Sequence, residues 1–77
     1  MSPRLPAVRP RELARALERD GWIATKQRGS HLKFRKEGRA EKVIVPMHNR
    51  DVPLGTLRAI LAAAHIEDER FLELLRS

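Results

Sequence analysis

In the stretch KQRGSHLKF, residues 26–34, a histidine follows a glycine–serine pair with cations on both sides. An imidazole is the side chain best suited to accept a proton at neutral pH, and neighbouring positive charge favours its uncharged form. RNA can be cut without a metal when a base takes the 2′-OH proton. The freed oxygen attacks the adjacent phosphate, and an acid protonates the departing 5′-oxygen. His31 is the candidate base. Lys26, Arg28 and Lys33, with Arg35 further along, are the candidate grip on the phosphate and on the charge that builds there. Backbone N–H groups around Gly29 and Ser30 can add to that grip, because glycine permits close approach. The Ser30 hydroxyl either bonds the phosphate or caps the turn, and the turn role is favoured. His48, in a later loop, reads as general acid, phosphate contact or plain surface histidine. His65 reads as a complement to a helix C-terminus and is assigned no chemistry. From residue types alone, His31 is more often inert than catalytic.

Other chemistries find less support. With no cysteine there is neither a disulfide framework nor a thiolate zinc site. His31, His48 and Asp51 lack any recognised metal-ligand spacing, so neither a metal nor another cofactor is expected. The Gly-Ser-His run lacks the surroundings of a serine-hydrolase nucleophile turn. Sixteen Lys and Arg against ten Asp and Glu give a net charge of +6 on 77 residues, a field that attracts polyanions. The excess is concentrated in the middle third, from Lys26 to Lys42. No apolar run nears the roughly 18 residues needed to span a bilayer, and the N-terminus does not read as a signal peptide. A soluble cytoplasmic protein without membrane contact is expected.

The elements that must hold these residues follow from periodicity. Residues 1–8 carry two prolines and no period and read as a loose arm; residues 9–77 read as a single domain. Leu13, Ala14 and Leu17 at helical spacing, with Pro10 at the first turn and Gly21 as the stop, predict a helix over 10–20. WIATKQ predicts a first strand, with Ile23 placed in the core and Trp22 at its margin. HLKFR alternates strictly, so Leu32 and Phe34 face one way and His31, Lys33 and Arg35 the other. KVIVP predicts a third strand ended by Pro46. Leu54, Leu57, Ile60, Leu61 and Ala64 predict one apolar stripe on a long helix. A short last helix packs through Phe71, Leu74 and Leu75. The fold class is α+β: a three-stranded antiparallel sheet, with helices on one face over Leu32, Phe34, Val43 and Val45 and the His31 face left open.

Gly21-Trp22, Gly29-Ser30-His31, Val45-Pro46-Met47-His48 and Gly55-Thr56-Leu57-Arg58 followed by Ile60-Leu61 stand in one order over about residues 10–75. In this the sequence resembles the HicA, or YcfA-like, toxin family. The resemblance implies a double-stranded-RNA-binding-like α-β-β-β-α fold with an extra C-terminal helix. It implies a ribosome-independent ribonuclease that cleaves messenger RNA, with His31 in the essential histidine's place. It also implies a HicB-like antitoxin that covers the site, and with it a type II toxin–antitoxin hetero-oligomer. Two other readings remain: a non-catalytic module that binds duplex RNA by shape, and a basic face that docks an acidic protein.

Overall fold

The computed structural model describes residues 4–77. In chain order the elements are α1 (Pro10–Arg19), β1 (Ile23–Arg28), β2 (His31–Arg35), β3 (Lys42–Pro46), α2 (Leu54–Ala64) and α3 (Asp68–Arg76). The sheet is antiparallel in the order β1-β2-β3, and the expected α-β-β-β-α order, with one more helix, is the one observed.

Local chemistry sets the helix ends. Pro10 occupies the first position of α1, where its missing N–H costs nothing. The Glu12 carboxylate accepts from the Arg9 N–H at 2.8 Å, satisfying a donor outside the helix ladder. At the other end Gly21 takes φ +99°. Its N–H donates to the Glu18 carbonyl at 3.0 Å, and the Trp22 N–H donates to the Leu17 carbonyl at 2.9 Å. These paired bonds are a Schellman closure, which brings the residue after the cap onto the last buried turn. Trp22 and Leu17 are both buried there. Helix α2 closes in the same way, with His65 N–H to Ala62 and Ile66 N–H to Leu61, but its left-handed residue is His65 at φ 57°. A side chain with a Cβ is strained in that conformation by about 1 kcal/mol. The His65 ring recovers a little through an exposed contact with Glu41 at 3.4 Å. His65→Gly is therefore expected to raise stability by about 0.5–1 kcal/mol, measured as a higher urea midpoint. The Glu41 carboxyl sits below its ordinary range, first through a backbone N–H and then through His65. Because the shift is downward, whatever the contact contributes is present above the ordinary carboxylate range and is lost on acidification.

Helices α1 and α2 pack on one face of the sheet, where Phe34, Val43 and Val45 are fully buried. The placement expected for the start of the first strand is reversed: Trp22 is 1% exposed and Ile23 65% exposed. The cause is a bulge between Ala24 and Lys26, which leaves Thr25 without a cross-strand partner. One extra residue shifts the alternation by one, so Ile23 lies opposite Arg35 on the open face. Leu54, expected in the apolar stripe of α2, is 55% exposed. It is the first residue of its helix, and side chains tilt toward the N-terminus, so it projects past the helix end. The rest of the stripe (Leu57, Ile60, Leu61, Ala64) is buried as expected.

The N-terminal residues that are described, 4–8, form no regular element but are not wholly loose; residues 1–3 of the expected arm lie outside the described residues. Val8 is buried, and its carbonyl accepts from the Val52 N–H at 2.8 Å. Helix α3 completes the core with Phe71 and Leu74 and leaves Leu75 half-buried against it. It is tied to the end of α1 by Arg19, which donates to the Leu74 carbonyl at 2.7 Å, and by Arg70, 3.4 Å from Asp20. Asp20 also takes Lys36 at 3.2 Å, and the Lys36 ammonium lies 5.9 Å from the centre of the Trp22 ring.

Candidate active site

The strand register turns the open sheet face into a grid of three rows. Arg28, His31 and Pro46 form the first, Lys26, Lys33 and Ile44 the second, and Ile23, Arg35 and Lys42 the third. Residues paired across a sheet share a face, so five cations and one histidine stand on a single surface. His31 is exposed at the mouth of β2. Two residues, Gly29 and Ser30, connect it to Arg28. Gly29 has φ +58° and Ser30 does not take positive φ, the signature of a II′ hairpin turn, whose backbone twist matches that of the strands. The Ser30 carbonyl accepts from the Met47 N–H, so the end of β3 lies beside the start of β2.

Lys26, Arg28, His31, Lys33, Lys42 and Ile44 line one open cleft of about 460 Å³. Arg35 shares the face, in the third row. Among the described residues, ion pairs are formed by Arg9, Lys36, Arg58, Arg70 and His65 with acids elsewhere. None involves a cation of the grid. Lys26 sits directly opposite Lys33, a pairing that disfavours the sheet. A face that keeps uncompensated like charge against its own stability is arranged for an anion.

The structure brings His31, Lys26, Arg28 and Lys33 together around one cleft; Gly29 and Ser30 do not line it but form the turn between Arg28 and His31. It does not bring His48 there. His48 lies two residues beyond the partner of His31, but the loop after β3 runs back to the start of α1, held by the Val52–Val8 bond and by Arg9 with Asp51 at 3.4 Å. His48 therefore lines different clefts, beside α1 and beside Asp51 and Thr56. Among the described residues no three His, Asp or Glu side chains gather closely enough to hold a metal ion. Nor is any helix among them long and apolar enough to cross a membrane.

Two lining residues, Lys42 and Ile44, were not among the expected site residues. The alternation of KVIVP contains them: Val43 and Val45 face inward, so Lys42 and Ile44 must face out. Ile44 is 43% exposed and gives the cleft an apolar floor.

Over residues 10–66 the sequence matches the family model described as the HicA toxin of bacterial toxin–antitoxin systems. The chain belongs to the HicA toxin family. Membership makes it a toxin of a toxin–antitoxin system, and hence one member of a pair with an antitoxin. No curated protein matches the sequence. The HicA match ends at Ile66, so α3, with Phe71 and Leu74, lies beyond it.

Proposed function

We propose that this HicA-family toxin is a metal-independent endoribonuclease that cleaves messenger RNA, with His31 as general base and a HicB-type antitoxin as the partner that covers the cleft. The observation that carries this reading is the exposed imidazole on a sheet face of five cations, none of them paired to an acid among the described residues.

In this mechanism His31 takes the proton of a ribose 2′-OH. The oxygen attacks the neighbouring phosphorus, and the bond to the 5′-oxygen breaks. The products are a 2′,3′-cyclic phosphate and a 5′-OH. Lys26, Arg28 and Lys33 hold the non-bridging oxygens as charge grows on them, which is where fixed positive groups lower the barrier most. Arginine does not give up its proton. Of the cations in the cleft, only the lysines can then supply one to the leaving oxygen, and Lys33 stands next to His31 on the same face of β2. Ile44 offers a surface for a ribose or base without reading its identity, so sequence preference is expected to be weak.

The direct test is purified protein on single-stranded RNA in EDTA. Cleavage with cyclic phosphate ends is expected. Tight binding that leaves the RNA intact would replace the enzyme with a binding module, and cleavage only on adding divalent metal would overturn the mechanism.

The like-charge pairing gives a second test. Lys33→Thr removes the repulsion with Lys26 and places a β-branched residue in a central strand. Stability is expected to rise by about 0.2–1 kcal/mol in urea titration, while RNA affinity and turnover fall. A variant that is both less stable and fully active would contradict the assignment of that face.

A further inference from the structure

A second concentration of cations lies round the corner from the sheet face. One cleft is lined by Arg9, Arg11, Glu12, Arg15, Met47 and His48, its walls formed by the flank of α1 and the loop after β3. Both acids near it are engaged. The Glu12 carboxylate takes the Arg9 N–H at 2.8 Å, and Asp51 takes the Arg9 guanidinium at 3.4 Å. Arg11 and Arg15 remain, exposed and without an acid partner among the described residues. Four residues apart, they stand one above the other on the helix, and exposed His48 lines the same cleft. Like charges at that spacing weaken a helix, so nothing in the fold asks for them.

No residue lines both clefts; the end of β3 forms the wall between them. Pro46 is the cross-strand partner of His31, and the next residue, Met47, lines the Arg11–Arg15 cleft while its N–H bonds Ser30 in the hairpin turn. A chain laid over Pro46 and Met47 therefore touches both. We propose that Arg11, Arg15 and His48 form a second phosphate subsite, which holds the RNA backbone on one side of the phosphate that is cleaved with His31 as base. Guanidinium groups fork onto phosphate oxygens, and an imidazole always has one N–H to donate. This gives His48 a binding role rather than an acid's. It rests on the reading of the sheet face as the RNA-cutting site and extends it: the enzyme should prefer a single strand long enough to cross the wall over a minimal fragment.

The test uses RNA that cannot be cut, 2′-O-methyl oligonucleotides as a dodecamer and a trinucleotide, with affinity read by anisotropy across a salt series. The proteins are wild type and Arg11→Gln/Arg15→Gln, whose exposed helical positions tolerate glutamine, with circular dichroism to verify the fold. The ratio of dodecamer to trinucleotide affinity is expected to fall about tenfold at moderate salt, and the dodecamer's slope in log salt by about 1.4, the value for two single-strand phosphate contacts. An unchanged ratio and slope would overturn the subsite even if wild type cuts RNA normally. So would unchanged RNA binding together with lost affinity for a polyglutamate peptide, which would assign the arginines to an acidic protein. If the ratio falls but wild type leaves ordinary RNA intact, the subsite stands and the cleavage reading fails.

Discussion

His31→Ala is expected to lower metal-free RNA cleavage by about 10²–10⁴-fold, the usual contribution of a positioned acid–base group, without changing the urea midpoint. The two halves follow from one fact: the side chain is exposed at the start of β2. Truncating it opens no cavity in the core, so there is no packing cost of the kind that buried residues incur. Neighbouring Lys26, Arg28 and Lys33 are untouched, so RNA should still bind. His31→Gln keeps a polar side chain of similar length but offers no base, and it should be equally inactive. In cells, expression of the toxin without an antitoxin is expected to arrest growth, and either variant should relieve the arrest. Cleavage within a few-fold of wild type in both variants would remove His31 from the mechanism.

Phe71→Ala is expected to do the opposite: leave every residue of the cleft unchanged and weaken the fold that holds them. Phe71 is fully buried although its helix lies outside the stretch that matches the HicA family. Deleting a buried phenylalanine ring costs about 3–5 kcal/mol. A domain this small buries a modest core, and stability runs at roughly 0.05–0.15 kcal/mol per residue. The substitution therefore consumes a large share of what holds the chain together. A fall in Tm of more than about 10 °C is expected, with RNA binding and cleavage lost in step with the melt. The polar ties of α3 are lesser terms. Arg70 is half exposed where it meets Asp20, and Arg70→Ala should cost no more than about 1 kcal/mol. A normal melt for Phe71→Ala would mean that α3 is an appendage and not part of the core.

Most of what positions His31 was legible in the chain. HLKFR alternates without exception, and its register is confirmed by the pairing of Lys33 with Ile44 and of Phe34 with Val43. Gly21 and Gly29 stand where positive φ is required. Apart from Leu54, which its place at the helix start exposes, the departures depended on a contact distant in sequence or on one inserted residue. Nothing in WIATKQ marks Thr25 as a bulge, and without it Ile23 would face the core. His48 follows a strand that returns to His31, which suggested a shared site. Its real direction is set by Val52 bonding Val8, a pairing between the segment before α1 and the loop after β3 that no local pattern encodes. Val8 was missed because one apolar residue among prolines has no period. Arg11 and Arg15 were not singled out, because the helical period of α1 does not reveal the loop after β3 that lines a cleft with them.

The burial of Trp22 has a practical consequence. It is the sole tryptophan, the chain has no tyrosine, and its indole is closed off beneath Lys36 at the joint between α1 and β1. Its emission is therefore a built-in reporter of that joint: blue and shielded while the joint is closed, red-shifted once water reaches the ring. A variant that is silent on RNA but keeps the blue emission has lost its chemistry, and one that shifts has lost its shape.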